Sequence, residues 1–153
     1  MDFHYSEEQR MLADSLRRLI NDEWSFSRRR ERQDLGRLDT EGWNALAELG
    51  VLGLNIADTF GGFGEEPASL LPVHLELGRG LVAEPVIPSA VISAAVISAS
   101  GNTASMQSVL PAIASGEQIV SLAYQEPGRR YDIEPETCRA SETAQGWRLD
   151  GRK

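Results

Sequence analysis

The stretch ASMQSVLPAIASGEQIVSLAY, Ala104 to Tyr124, holds the change of pattern that decides the fold. Its first half, about Ala104 to Ala114, reads as a short helix stopped at Ser115-Gly116. Its second half, Gln118-Ile119-Val120-Ser121-Leu122-Ala123-Tyr124, reads as a strand. A boundary near Gly116 therefore predicts a helical domain over 1–116 and the beginning of a β domain over 117–153.

Upstream of that boundary the helical signals repeat. Ser6 with Gln9 three residues on makes a capping box, and Met11, Leu12, Leu16, Leu19 and Ile20 follow at helical spacing to an end near Trp24. Residues 25–38, rich in arginine (Arg28, Arg29, Arg30, Arg32, Arg37), read as a helix end plus connector. A second helix runs from Asp39 or Thr40 to Leu49, with Gly50 at the left-handed position past its end. Val51 to Ile56 reads as a short extended apolar piece, and Gly61-Gly62-Phe63-Gly64 as a loop. A third helix fits Ser69 to Leu81, with Leu70, His74, Leu77 and Leu81 on one side and Pro72 tolerated in its first turn. A fourth begins near Pro88 and is ended by Gly101-Asn102.

Downstream, Cys138 to Thr143 and Trp147 to Asp150 read as strands joined by a turn at Ala144-Gln145-Gly146. A hairpin with one preceding strand needs further partners, and the chain stops at Lys153 as this sheet begins. The expectation is an incomplete sequence.

Composition narrows the function. The chain has 153 residues, a net charge of −8 and 41% hydrophobic residues, enough for one domain with a core. A lone cysteine, Cys138, excludes a disulfide framework and a four-thiolate metal site. The acidic balance argues against a nucleic-acid partner. Charges within the first twenty residues leave no signal-peptide core, and the longest apolar stretch, Val86 to Ala99, is too short to span a membrane. The composition reads as a cytoplasmic protein.

Few residues point to chemistry by themselves. Gly61-Gly62-Phe63-Gly64 lacks the lysine and hydroxyl of a phosphate loop and reads as a turn needing positive φ. The arginine cluster reads as a solvated helix end. His4 and His74 have no partner at ligand spacing, so no metal site is expected, and His74 reads as a hydrogen-bonded core histidine. Cys138 reads as structural. Glu126-Pro127-Gly128, taken alone, is a strand-ending turn.

Taken in order, the motifs resemble the N-terminal part of the acyl-CoA dehydrogenase family. Four pieces carry the resemblance. They are Phe3-His4-Tyr5-Ser6-Glu7-Glu8-Gln9 before an amphipathic helix; Trp43 to Leu54 followed by Phe60 to Gly64; Glu76-Leu77-Gly78-Arg79 with Leu110 to Glu117; and Leu122 to Gly128 with Trp147 to Lys153. The resemblance implies a mainly α fold, an N-terminal all-α domain followed by the first strands of a β domain, with the C-terminal helical bundle absent from this chain. It implies FAD as cofactor and α,β-dehydrogenation of an acyl-CoA substrate to the trans-2-enoyl-CoA. It implies an electron-transfer flavoprotein or similar acceptor, and a homo- or hetero-oligomer, dimer or tetramer. The family's glutamate base belongs to the C-terminal domain, so no catalytic residue is expected in 1–153.

The site residues follow from the same resemblance. The positions before Glu-Pro-Gly run beside the flavin, here Leu122, Tyr124 and Gln125, with Gln125 in place of the usual Thr or Ser. Arg129-Arg130-Tyr131-Asp132 stands where the family has small residues. These bulky groups either meet an anionic pyrophosphate or signal that flavin is not held here in the usual way. Tyr131 is thus a candidate cofactor contact and Arg130 a candidate substrate contact. The departure, with Gly80-Leu81-Val82-Ala83-Glu84-Pro85-Val86, resembles the bacterial hetero-oligomeric branch acting on steroid-derived acyl-CoAs. On the fourth helix, Ser89 and Ser93 are candidate substrate contacts in an acyl-pocket wall, with tight helix packing as the alternative. Three functions follow: a dehydrogenase, a flavin-poor partner subunit, and a free-standing helical interaction domain.

Overall fold

The computed structural model describes residues 4–34, 36 and 38–153; Phe3 of the opening motif and Arg37 of the connector lie outside the described residues. The chain divides into two compact units, residues 1–121 and 122–153.

The first unit is helical. Helix α1 (Glu7–Glu23) starts on the expected capping box: Gln9 N donates to Ser6 Oγ at 3.1 Å, and Ser6 N donates to Gln9 Oε1 at 3.0 Å. Its buried Leu16 and Ile20 face Val73 and Leu77 of α4 (Leu70–Arg79) in one core. Glu76 of α4 is buried but paired, with Arg17 Nη2 at 2.6 Å and Arg79 Nε at 2.7 Å. The hydrogen bond from Arg17 is the main reason its carboxyl lies below the ordinary value.

The arginine-rich segment is not a connector. It forms its own helix, α2 (Phe26–Asp34), because its charges have tertiary partners. Arg28 pairs with Glu23 and, at 3.8 Å, with Glu41. Arg32 Nε lies 2.6 Å from Asp39, and its guanidinium sits 5.1 Å from the centre of the Trp24 ring. Only part of the cluster is therefore a solvated helix end.

Helix α3 (Thr40–Glu48) is capped by Asp39, which accepts from Gly42 N at 3.1 Å, and Gly50 takes the left-handed φ of 84°. Trp43 and Leu46 are buried, and Trp43 Nε1 donates to Gly116 O at 2.9 Å. Val51–Gly53 is a 3₁₀ turn rather than an extended piece. The reversal at Gly50 lets Gly53 N bond Gly50 O at 3.2 Å, which coils the chain tightly and still buries Val51 and Leu52. The loop that follows folds back on this turn: Phe63 N donates to Gly53 O at 3.0 Å, Gly64 N to Ile56 O at 2.8 Å and Glu65 N to Leu54 O at 2.9 Å. Gly61 and Gly64 adopt φ of 80° and 65°, the turn geometry expected of them.

Helix α4 follows a short 3₁₀ turn, Pro67–Ser69, and ends before Leu81. Leu81 therefore leaves the apolar side assigned to it; it has φ 53° and is exposed. His74 Nδ1 lies 2.9 Å from Leu70 O, a hydrogen-bonded and half-buried histidine. The fourth helix begins as a π-helix, Ile87–Ser93, and continues as α5 (Ala94–Ala99). Helix α6 (Thr103–Ala114) is capped by Asn102, which accepts from Ser105 N at 3.1 Å, and buries Leu110 and Ile113.

The second unit holds the hairpin, β1 (Arg139–Thr143) and β2 (Gly146–Asp150), antiparallel with Thr143 opposite Gly146. Every residue of both strands is exposed, Trp147 and Leu149 included. The strand expected over Gln118 to Tyr124 is absent. A strand exists only through pairing, and the groups of Val120 bond to side chains instead, as described below.

Candidate functional site

The chain leaves α6 with Gln118 N donating to Ala112 O at 2.9 Å. Two serines of the π-helix then hold Val120. Its N–H donates to Ser89 Oγ at 3.1 Å, and its carbonyl accepts from Ser93 Oγ at 3.1 Å. Ser93 Oγ also lies 2.7 Å from Pro88 O. Ser89 and Ser93 are buried, so their hydroxyls act as fasteners for the segment that leaves the helical unit. Ser89→Ala strands the Val120 N–H and is expected to cost the helical unit about 1 kcal/mol. A urea unfolding curve and amide exchange at Val120 check this, with faster exchange expected there and no change in helix α1.

The second unit is organised around one carboxylate. Glu126 is 3% exposed, yet it follows a run of exposed residues, Ser121 to Gln125. Its Oε2 accepts from Glu136 N at 3.1 Å, Thr137 N at 2.8 Å and Thr137 Oγ1 at 2.8 Å. Its Oε1 accepts from Cys138 N at 3.0 Å and Lys153 Nζ at 3.1 Å. The carboxyl is thereby held well below the usual carboxylate range, the Thr137 N–H first among the causes and opposed by burial. Glu126 thus clasps the two ends of the 127–137 excursion and the last residue of the chain.

The excursion is braced from within. Arg129 pairs with both Asp132 and Glu136. Gln125 Nε2 donates to Arg130 O at 3.0 Å and to Arg129 O at 3.4 Å. Lys153 Nζ also donates to Tyr124 O at 3.2 Å.

A cleft of about 670 Å³ opens beside this clasp, lined by residues 122–130 together with Arg152 and Lys153. Of the candidate residues, it brings together Leu122, Tyr124, Gln125 and Arg130. Tyr131 lies outside its lining and is 91% exposed. Ser89 and Ser93 belong to the other unit. Sequence reasoning missed Arg152 and Lys153 as lining residues and the donors of residues 136–138. Glu126-Pro127-Gly128 was the visible signal, but backbone donors ten residues away leave none. Among the described residues no group of His, Cys, Asp and Glu is arranged to hold a metal ion, and no helix is long and apolar enough to cross a membrane.

A helical unit that hands an exposed segment to a hairpin-bearing unit with a cationic cleft describes a class of two-part α-then-β chains. Comparison with known proteins says which one: the family defined by the acyl-CoA dehydrogenase N-terminal domain matches residues 6–117, and the chain belongs to that family. The chain is 34% identical over 110 residues to a (2S)-methylsuccinyl-CoA dehydrogenase of Cereibacter sphaeroides, covering 71% of this chain and 20% of that protein. Among solved structures, the ChsE4–ChsE5 complex from Mycobacterium tuberculosis is similar at TM-score 0.84 and 26% identity, covering 99% of this chain and 40% of that one. A Tcur3481–Tcur3483 steroid ACAD variant is similar at TM-score 0.80 and 29% identity, over 95% of this chain and 40% of that one. The chain thus spans less than half the length of each of these relatives.

Proposed function

We propose that this chain is the front portion of an FAD-dependent acyl-CoA dehydrogenase, which removes hydrogens from the α- and β-carbons of an acyl-CoA thioester to give the trans-2-enoyl-CoA. The observation that carries the reading is the family match over residues 6–117, running straight into the exposed segment 121–125. The residues present fit the cofactor. Leu122 and Tyr124 offer exposed apolar surface, and Gln125 Oε1 has no partner among the described residues. The backbone N–H groups of 122–125 have no partner among the described residues, which suits a flat, polar-edged ring.

FAD, when bound, supplies the acceptor for the hydride from the β-carbon. The chain's own residues bind and orient. In this reading Leu122, Tyr124 and Gln125 contact the cofactor and Arg130 the substrate, while Tyr131, outside the cleft lining, is assigned no contact. Ser89 and Ser93 serve the site by fixing Val120 and hence the course of the segment. Glu126 is not the base: its carboxylate is saturated with donors and held ionised at low pH, a poor proton acceptor. The reading places the enzyme in the cytoplasm as an oligomer, with an electron-transfer flavoprotein or similar acceptor as partner.

The test is flavin content. Purified with whatever sequence follows Lys153, the protein should be yellow or become so with FAD. A colourless protein that FAD cannot reconstitute contradicts the reading.

A second reading is favoured by the lock on Arg129, which commits a bulky side chain to Asp132 and Glu136 rather than to a ligand. Here the chain is a flavin-poor subunit that completes a partner's site. Fewer flavins than chains in a mixed oligomer would select it over the first reading.

A further inference from the structure

The cleft beside Glu126 carries more positive charge than its surroundings explain. Its lining holds Arg129, Arg130, Arg152 and Lys153 against one carboxylate, in a chain of net charge −8. Two of the four cations are used internally: Arg129 by Asp132 and Glu136, Lys153 by Glu126. Arg130 and Arg152 have no side-chain hydrogen bond or ion pair among the described residues, and both are exposed.

Glu126 bonds to chain neighbours of both. One side of its carboxylate anchors the far end of the 127–137 excursion that carries Arg130. The other side anchors Lys153, next in sequence to Arg152. Arg152 is further constrained through its carbonyl, which accepts from Cys138 Sγ at 3.3 Å. Two unpartnered guanidinium groups on tethered backbone, at the rim of a cleft with Leu122, Tyr124 and Pro127 in its lining, suit a ligand with an apolar or planar part and a phosphate.

We propose that Arg130 and Arg152 form a two-arginine clamp for a phosphate or pyrophosphate group of the ligand in this cleft. The clamp deepens the reading above and rests on it, since that reading supplies two phosphate-bearing ligands, FAD and acyl-CoA.

Calorimetric titration of the chain with inorganic pyrophosphate tests the clamp without either ligand. The wild type should bind saturably, and R130A/R152A should bind at least about tenfold more weakly. The thermal unfolding midpoint shows that the variant is folded. R130K/R152K, which keeps the charge and loses the fork, should fall between the two. Paired titrations then identify the source. A loss in the alanine variant for FAD but not riboflavin assigns the clamp to the cofactor; a loss for CoA but not pantetheine assigns it to the substrate. No pyrophosphate binding by the wild type, or equal binding by the folded alanine variant, overturns the clamp. A chain that binds pyrophosphate through these arginines but neither FAD nor CoA keeps the clamp and removes the reading on which it rests.

Discussion

Gly62→Ala should destabilise the helical unit by about 3 kcal/mol, the upper end of what overpacking costs. A Cβ at this position would meet the backbone carbonyl oxygen of Ile56, and that of Gly53 at 2.5 Å. Neither obstacle is the movable end of a side chain. Both accept bonds from the loop, from Phe63 N to Gly53 O and from Gly64 N to Ile56 O, and these bonds set that spacing. The methyl can be admitted only by breaking those bonds, and with them the cover over the buried Val51, Leu52 and Ile56. Gly78 is the internal control. It lies inside α4 with nothing within 4 Å of a built Cβ. Gly78→Ala should therefore stabilise by about 0.5–1 kcal/mol through helix propensity. Urea midpoints of opposite sign for the two variants are the expected outcome; equal small shifts would show that the loop does not fit this tightly.

Glu126→Ala should disorder the second unit while leaving the helical unit folded. The hairpin has no buried face of its own, and two strands alone are marginal in water. What fixes its open end is the set of donors converging on Glu126 from residues 136–138 and Lys153. Amide exchange at Glu136, Thr137 and Cys138 should accelerate strongly, with no change at Leu16 or Leu46. The same clasp sets the acid response. The native carboxyl value is depressed, so its stabilisation is complete above the unfolded value of about 4.3. It is lost as pH falls through the lower native value. The second unit should hold its order from neutral pH to about 4.3 and lose it only in stronger acid. Glu126→Gln should abolish this transition by weakening the unit at every pH. Slow exchange at 136–138 in either variant would show that the clasp is not what orders them.

Local chemistry made much of the helical unit legible. The Ser6–Gln9 box and the Asp39 cap of α3 depend on neighbours three residues away, and the sequence displays such neighbours directly. Residues 118–124 carry a β pattern yet form no strand, because Val120 is satisfied by Ser89 and Ser93, 31 and 27 residues distant, which no β pattern encodes. The helix formed by the arginines of α2 is likewise hidden in the sequence, since Asp39 and the Trp24 ring become partners only once the chain has folded. At the candidate site, the resemblance points to Leu122, Tyr124, Gln125 and Arg130, and these four line one cleft. Glu126 carried a motif but no visible role, because its ligands are mostly backbone N–H groups that every residue except proline possesses.

The proposal that this chain belongs to an enzyme that dehydrogenates acyl-CoA thioesters is central here. It is tested most directly by mixing the purified, flavin-loaded protein, with any partner subunit that co-purifies, with a panel of straight-chain, branched and steroid-derived acyl-CoAs. The expected result is bleaching of the flavin absorbance by at least one thioester, accompanied by a product lighter by two hydrogens. A flavin that stays oxidised with every thioester while dithionite reduces it readily would contradict the account.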